Sequence, residues 1–240
     1  MSGHSHSKKI AHAKAATDAQ RSNMFSKLAK EISIAAKDGT DPATNSRLRV
    51  AMERARSFNM PKDNVERAVK RATGEAGQNV QLEEMLLEAY GPGGIAILIS
   101  VITDNKNRTL SEIKQILSSR QGKLVEGGAV RWMFEQKGVC VILNPQQNKE
   151  SLELLAIEAG AEDIFWNEDG SLDIYTKPTE LESVKKKLEE QGILLESASL
   201  DWVAKEIVEA SQNVKEAGQK LFDALDEQED VQDVYSNLSV

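Results

Sequence analysis

The chain has 240 residues, of which 40% are hydrophobic and 28% are charged, and this composition excludes wholesale disorder. Its longest apolar runs span five residues, whereas a membrane-spanning helix needs about 20. The single cysteine, Cys140, excludes an internal disulfide and a zinc site built from several thiolates. The basic N-terminus has no apolar stretch of the kind found in secretory signals, so we expect a cytoplasmic protein with no membrane association.

The net charge of −8 is unevenly distributed along the chain. Residues 1–74 hold 15 Lys and Arg against 7 Asp and Glu, a net charge of +8, whereas residues 75–240 carry −16. All three histidines also lie in the first segment. This asymmetry favours a basic nucleic-acid-binding module attached to an acidic body, and a small helical domain with an ordinary solvated surface is the alternative.

The basic segment is predicted to form three amphipathic helices. Apolar residues recur at three- and four-residue spacing over 24–35, 48–58 and 65–72, and loop-forming residues separate these stretches. Before the first helix, Thr17 and Gln20 match a capping box. Three such helices with short loops predict a small bundle of about 60 residues.

The cations of this segment form a candidate surface for phosphates. In the second helix two pairs of arginines are spaced seven residues apart, which places each pair along one side of the helix. Glu53 and Glu66 can pair with neighbouring arginines, so a solvated helix surface stays open as the alternative. The candidate contacts in the arm and the helices are His4, Lys8, Lys9, His12, Lys14, Arg47, Arg49, Arg54, Arg56, Lys62, Arg67, Lys70 and Arg71.

The acidic body is predicted to form two α+β units. The elements of the first are strands at 82–90 and 95–102, a helix at 105–120 and a strand at 129–134. The second has the ferredoxin-like order β-α-β-β-α-β, with elements at 139–143, 148–159, 163–166, 172–176, 179–191 and 193–200. A helix at 214–225 and a strand at 231–235 remain, and since they bury no core alone, we expect them to complete the first unit.

These elements together predict an α+β protein with an N-terminal three-helix domain and two α+β domains. One of these is ferredoxin-like and inserted in a discontinuous middle domain. The expected bounds are 1–78 for the basic helical domain, 79–136 plus 203–240 for the middle domain, and 137–202 for the ferredoxin-like domain.

The sequence patterns that carry catalysis or hold cofactors are missing. There is no phosphate-binding loop of the Gly-x-x-x-x-Gly-Lys-Ser/Thr type, and the glycines at 91–94 lack dinucleotide-binding spacing. Cys140 lies between two valines in a predicted strand, which is typical of a buried structural cysteine, and His4 and His6 make a weak metal pair. We expect no enzyme activity, no metal, no cofactor and no small-molecule substrate. A metal- or thiol-dependent enzyme is the remaining alternative.

The segment 103–109 joins a buried strand to the start of a helix. Capping residues and cations crowd together there, at a helix N-terminus whose backbone N–H groups favour anions. Lys106, Asn107 and Arg108 are therefore candidate contacts for an anion or a partner. Simple capping within a solvated loop is the alternative.

Five motifs of this chain carry a resemblance to a known family. In chain order they are Gly3-His4-Ser5, Asp18 and Arg21 with the segment 25–28, and the segments 59–64, 90–94 and 103–109. Together they resemble the YebC/PmpR family. The resemblance runs nearly end to end and implies a helical N-terminal domain with two α+β domains, the middle one discontinuous. It adds Ser5, Arg21 and Lys27 to the candidate nucleic-acid contacts.

The resemblance implies a cytoplasmic, DNA-binding transcriptional regulator, and we expect the protein to be monomeric. A translation factor that binds ribosomal RNA is the alternative, because a mitochondrial branch of the family activates translation and bacterial members are linked to ribosomes stalled on proline-rich sequences. Both functions use Lys and Arg on phosphate, so both stay open. The chain departs from the family pattern in its arm, where His6 and Ser7 stand in place of the usual Lys-Trp.

Overall fold

The computed structural model describes residues 18–74, 81–143, 145–167 and 169–239. They fall into two compact units. The first unit comprises residues 18–131 and Ser211–Val234, and the second comprises Trp132–Ala210 and the residues from Tyr235 onward. Within the described part of the chain, no helix has both the length and the apolar character needed to cross a membrane.

The fold is α+β, with helices and strands in the following order along the chain. The helices are α1 (Asp18–Ala35), α2 (Ser46–Ser57), α3 (Lys62–Ala72), α4 (Lys106–Ser119), α5 (Lys149–Ala159), α6 (Leu181–Glu190) and α7 (Gln212–Glu227). The strands are β1 (Glu83–Tyr90), β2 (Ala96–Thr103), β3 (Lys123–Val125), β4 (Phe134–Ile142), β5 (Asp163–Trp166), β6 (Leu172–Thr176), β7 (Ser197–Ala204) and β8 (Val231–Ser236).

The helices α1, α2 and α3 pack around one apolar cluster, which confirms the predicted N-terminal helical domain. Leu28, Ile32 and Leu48 are at most 1% exposed in this cluster. Asn45 is the N-cap of α2, because its side-chain oxygen accepts a hydrogen bond from Leu48 N at 3.0 Å. Its amide nitrogen also donates to Ala35 O at 2.7 Å, so one side chain joins the end of α1 to the start of α2.

The first sheet has the strand order β3-β1-β2-β8 and belongs to the first unit. The helices α4 and α7 pack together within that unit. The position of β8 beside β2 confirms that the C-terminal helix and strand return to complete this sheet. Gly93, in the turn between β1 and β2, has φ +69°, and a Cβ there would lie 2.8 Å from a Val214 methyl of α7. Glycine is therefore required at this close approach.

The second sheet has the order β5-β6-β4-β7, and all its neighbours are antiparallel. Its elements follow the ferredoxin-like sequence β-α-β-β-α-β predicted for this part of the chain. The helices α5 and α6 cover one face, where Cys140, Leu152, Ile174 and Leu188 are fully buried. This arrangement provides the second unit with its own hydrophobic core.

Three details of the predicted strands are wrong. The segment 129–134 is a loop and a 3₁₀ turn (Arg131–Met133) that leads into β4. The short strand β3 was not predicted. The last strand of the second sheet begins at Ser197 instead of residue 193. The apolar residues of 129–134 suggested a strand, but side-chain bonds from another strand hold this segment as a loop. The predicted junctions 136/137 and 202/203 lie inside β4 and β7. The division into domains at those residues stays a prediction.

Candidate functional site

Most of the described basic candidates lie on the surface of the helical region. Five of them are exposed, on α1, α2 and α3: Arg21, Arg47, Arg56, Lys62 and Arg67. Arg49 is half-buried, and Lys70 and Arg71 at the end of α3 are exposed as well. The arm candidates His4, Ser5, Lys8, Lys9, His12 and Lys14 lie outside the described residues.

Two of the predicted phosphate contacts, Lys27 and Arg54, have internal partners in the structure, so we do not count them among the exposed cations. Lys27 is 8% exposed, and its Nζ donates to the backbone oxygen of Asp226. The guanidinium of Arg54, whose side chain is 17% exposed, donates to Glu31 Oε2 at 3.0 Å and to Asp233 Oδ1 at 3.3 Å. These carboxylates are far away in the sequence, so helical spacing alone could not identify the pairing.

The carboxylates around Arg54 have a perturbed environment. Burial raises the pKa of the Glu31 carboxyl, and the nearby Asp233 adds to this effect, while the charge of Arg54 opposes it. The positive charge of the Arg54 guanidinium therefore offsets the repulsion between these two neighbouring carboxylates within the first unit. Its role is to hold α1 and β8 to α2, which differs from the surface role that sequence spacing suggests.

The exposed cations have weaker local partners. Arg47 donates to the Glu84 carboxylate, and Arg67 donates to the side chain of Asn64 and to Asp63 O at 3.2 Å. The Nζ of Lys62 lies 3.7 Å from a Glu66 oxygen, with 88% of the lysine side chain exposed. Such solvated pairs contribute little to stability, so these cations can exchange their local partners for phosphates.

The segment 103–109 is organised around Asp230, whose side chain is only 2% exposed. Lys30 Nζ lies 2.5 Å from one carboxylate oxygen of Asp230. The other oxygen accepts hydrogen bonds from the Thr109 hydroxyl at 2.6 Å and from Arg108 Nη2 at 3.2 Å. Thr103 Oγ1 donates to this oxygen as well, at 3.2 Å. We call Asp230 and these four donors the Asp230 cluster.

The Asp230 cluster joins α1, β2, α4 and the start of β8 in the first unit. Burial by itself would raise the pKa of the Asp230 carboxyl, but hydrogen bonds from Lys30 and Thr109 and the charge of Lys30 outweigh it, so the pKa falls to about 2. The carboxylate is thus charged at every physiological pH. Sequence reasoning missed Asp230, since only the folded chain brings its four partners together.

The three candidate contacts in this segment have different surroundings. Lys106 and Asn107 are exposed, whereas Arg108 Nη2 also contacts Asp104 Oδ1 at 2.9 Å in addition to Asp230. Asn105 caps α4 by accepting from Arg108 N at 3.1 Å. The Arg108 side chain is 48% exposed, so its internal contacts support a structural role, while its role as a partner contact stays a prediction together with those of Lys106 and Asn107.

Arg108→Ala is expected to lower the free energy of unfolding by about 1 kcal/mol, because the half-exposed guanidinium loses its bonds to Asp104 and Asp230. Lys106→Ala, the matched change of an exposed neighbouring cation, should stay within about 0.5 kcal/mol of the parent protein. Thermal and urea unfolding measure both variants. An Arg108→Ala protein of unchanged stability that fails to complement a deletion strain would instead make Arg108 a partner contact.

Glu88 is a second buried carboxylate that the sequence did not single out. It is 5% exposed, and it accepts hydrogen bonds from the backbone N–H groups of Gly128, Val130 and Arg131 at 2.6, 2.7 and 3.0 Å. Burial opposes ionisation, but these three bonds prevail and lower the pKa of the carboxyl. The sequence offered one signal of this role, which is an acidic residue within a largely apolar strand. The hydrogen bonds that Glu88 accepts hold residues 128–131 as a loop, where the sequence predicted a strand from residue 129 onward.

Cys140 is buried in the second sheet, as its position between two valines predicted. Burial raises the pKa of its thiol to about 12, so the reactive thiolate is nearly absent at neutral pH. Among the residues that the structure describes, no group of three or more His, Cys, Asp or Glu is placed to hold a metal ion. His4 and His6 lie outside those residues.

The fold and the exposed cations together define a class of protein: an α+β protein with a basic helical N-terminal region followed by two four-stranded antiparallel sheets. Family models agree with this class along most of the chain. Residues 5–75 match the TACO1/YebC protein N-terminal domain, and residues 82–238 match the TACO1/YebC second and third domain. The chain therefore belongs to the TACO1/YebC family.

Similar proteins span the whole chain. A "probable transcriptional regulatory protein" of Pseudothermotoga lettingae is 46% identical over 242 residues, which cover 100% of this chain and 94% of that protein. A protein of the same description from Treponema denticola is 46% identical and covers 100% of this chain and 97% of its own length. The crystal structure of the conserved hypothetical protein Aq1575 from Aquifex aeolicus matches with a TM-score of 0.86 at 40% identity, covering 94% of this chain and 93% of that one.

Proposed function

We propose that this protein is a non-enzymatic regulator of gene expression that binds nucleic acid through its N-terminal helical region. The observation that carries the proposal is the set of exposed cations on α1, α2 and α3, which persists after Lys27 and Arg54 are assigned to internal pairs. The names of its relatives, probable transcriptional regulatory proteins, support a regulatory role.

The charge distribution supports binding through the N-terminal segment. Residues 1–74 carry +8, whereas residues 75–240 carry −16 and repel a phosphate backbone. A polyanion is thus attracted to one part of the chain and repelled by the other. Exposed arginines on α1, α2 and α3 provide planar donors suited to phosphate oxygens, and these contacts supply affinity without selecting a base sequence.

The proposed target is duplex DNA near promoters. The protein is proposed to act in the cytoplasm as a monomer and without a cofactor. Ribosomal RNA is the alternative target, in which case the protein is a translation factor, because the same cations contact RNA phosphates equally well. Crosslinking in cells, followed by sequencing of both the bound DNA and the bound RNA, separates the two. Enrichment of promoter DNA supports the first target, and enrichment of ribosomal RNA replaces it with the second.

The double variant Arg56→Ala/Arg67→Ala is expected to weaken nucleic-acid binding about uniformly across sequences. Both arginines are exposed, and neither pairs with a carboxylate in the part of the chain that the structure describes. Each lost phosphate contact should reduce the slope of log K against log salt concentration by about one. Fluorescence anisotropy with a labelled DNA duplex, at several salt concentrations, measures this slope.

The matched control is Lys177→Ala/Lys186→Ala, which removes two exposed cations from the second unit, with 59% and 78% of their side chains exposed. The control has the same change in net charge and should leave the slope unchanged. Equal slopes for both double variants would show that α2 and α3 are not the binding surface. Both double variants should fold as the parent protein does, and circular dichroism checks this.

A further inference from the structure

Trp132 is a large aromatic side chain that the fold leaves outside its cores. The residue is 64% exposed, although tryptophan is among the side chains that folding buries most extensively on average. It lies in the 3₁₀ turn just before β4, and the neighbouring Phe134 is 3% exposed. The chain thus anchors one aromatic ring in the protein and presents another to solvent two residues earlier.

The backbone under Trp132 is held in place by the end of β7. Lys205 Nζ donates to Trp132 O at 2.9 Å, and Lys205 N donates to Met133 O at 2.9 Å. Phe134 is paired with Ala204 in the β4–β7 ladder. A ring on a backbone fixed by these bonds loses little conformational freedom when it binds a flat partner.

Two positively charged residues lie next to Trp132, one in the chain and one through a hydrogen bond. The exposed ammonium group of Lys205 is bonded to the carbonyl of Trp132, and the exposed Arg131 precedes Trp132 in the chain. An exposed aromatic ring with neighbouring positive charge is the combination that stacks on unpaired bases while the cations attract the backbone. The helical region offers cations without such a ring, since Phe25 and Phe58 pack against its core.

We infer that Trp132 is a stacking contact for an unpaired base of the bound nucleic acid. This inference rests on the proposed function and deepens it, because phosphate contacts alone do not distinguish paired from unpaired bases. Of the targets that the proposal names, it selects those with unpaired bases, which are locally opened promoter DNA or the loops of ribosomal RNA, over a fully paired duplex. It assigns the second unit a direct role in binding, despite the net negative charge of residues 75–240. Single strands, and duplexes that contain unpaired bases, should then bind more tightly than fully paired duplexes of the same length.

The test compares full-length Trp132→Ala, Trp132→Phe and the parent protein. The probes are a single-stranded oligoadenylate of about twelve nucleotides and a fully paired duplex of the same length. The alanine variant should bind the single strand roughly tenfold more weakly and the duplex unchanged, while the phenylalanine variant retains most of the affinity. Binding of the single strand should quench tryptophan fluorescence in the parent, and this quenching should be much reduced in both variants.

The outcomes separate this inference from the proposed function. Leu194→Ala, which alters a side chain that is 88% exposed in the second unit, is the control and should behave as the parent. If Trp132→Ala binds both probes as tightly as the parent does, the stacking contact is wrong and the proposed function stands. If the variant binds both probes normally but no longer associates with a protein that the parent binds, Trp132 is a protein anchor and the inference is also wrong. If the parent binds neither probe, the proposed function fails and the inference fails with it.

Discussion

Asp230→Asn is expected to lower the free energy of unfolding by about 3 kcal/mol or more. The substitution keeps the shape of a side chain that is 2% exposed, but it removes the negative charge that faces Lys30 and Arg108. Breaking a buried ion pair from one side is costly, and the amide of asparagine keeps only one acceptor oxygen. Its NH2 group then faces either the Lys30 ammonium or the donors of Thr103, Arg108 and Thr109, which lose their acceptor. Urea unfolding at neutral pH measures the loss.

The same variant has an expected pH signature. The folded-state pKa of Asp230 is about 2, below its ordinary value of 3.8, so the carboxylate stabilises the fold fully above about pH 4. That contribution is lost as the pH falls towards 2. The difference in unfolding free energy between the parent and Asp230→Asn should therefore shrink by roughly 2 kcal/mol between pH 5 and pH 2.

Asp223→Asn is the matched control for this prediction. Asp223 lies on the exposed face of α7 and accepts a hydrogen bond from Gln219, its neighbour one turn earlier. Its replacement should change stability by no more than about 0.5 kcal/mol. Equal stability of the two asparagine variants would mean that the Asp230 cluster does not hold the first unit together.

Phe222→Ala is the second change with a large expected effect. Phe222 is 1% exposed on α7, the helix that returns to the first unit from the C-terminal part of the chain. Removing a buried ring leaves a cavity, and such changes cost about 3–5 kcal/mol. Hydrogen exchange should show faster amide exchange in β1, β2 and α4, because these elements share the first unit with α7.

The control for Phe222→Ala is Leu194→Ala, a large-to-small change at a position that is 88% exposed, with an expected effect within about 0.5 kcal/mol. Amides of the second sheet should retain their protection in Phe222→Ala, because α5 and α6 provide that sheet with a separate core. Protection of β1 and β2 that survives the substitution unchanged would contradict the role given to α7.

The Asp230 cluster changes how the segment 103–109 is understood. Capping residues and cations at a helix N-terminus suggest an anion site, but here Thr103, Arg108 and Thr109 already bind a carboxylate of the same chain. These three donors therefore have a structural use within the first unit. Lys106, Asn107 and the half-exposed Arg108 stay predicted contacts for a partner.

The local pattern of apolar and polar residues was sufficient to predict most of the helices and strands. The three- and four-residue spacing of apolar side chains located α1, α2 and α3, since a helix buries one stripe whichever core it meets. The β-α-β-β-α-β order likewise identified the second unit, because short connections allow few ways to build one sheet. The lone helix and strand at the C-terminus implied a return to the first sheet, as neither can bury a core alone.

Long-range polar contacts were beyond sequence reasoning. Helical spacing placed Arg54 beside Arg47 on a surface, but Glu31 and Asp233 draw its guanidinium inward. The segment 129–134 has the composition of a strand, yet the Glu88 carboxylate accepts hydrogen bonds from two of its backbone N–H groups and from that of Gly128 just before it, which holds the segment as a loop. The sequence by itself determined most of the elements and where the positive charge lies along the chain, because these depend on neighbours within a few residues. Only the tertiary structure decided which charges stay free of internal carboxylates and that Trp132 is exposed, because burial depends on residues that meet only in the folded chain.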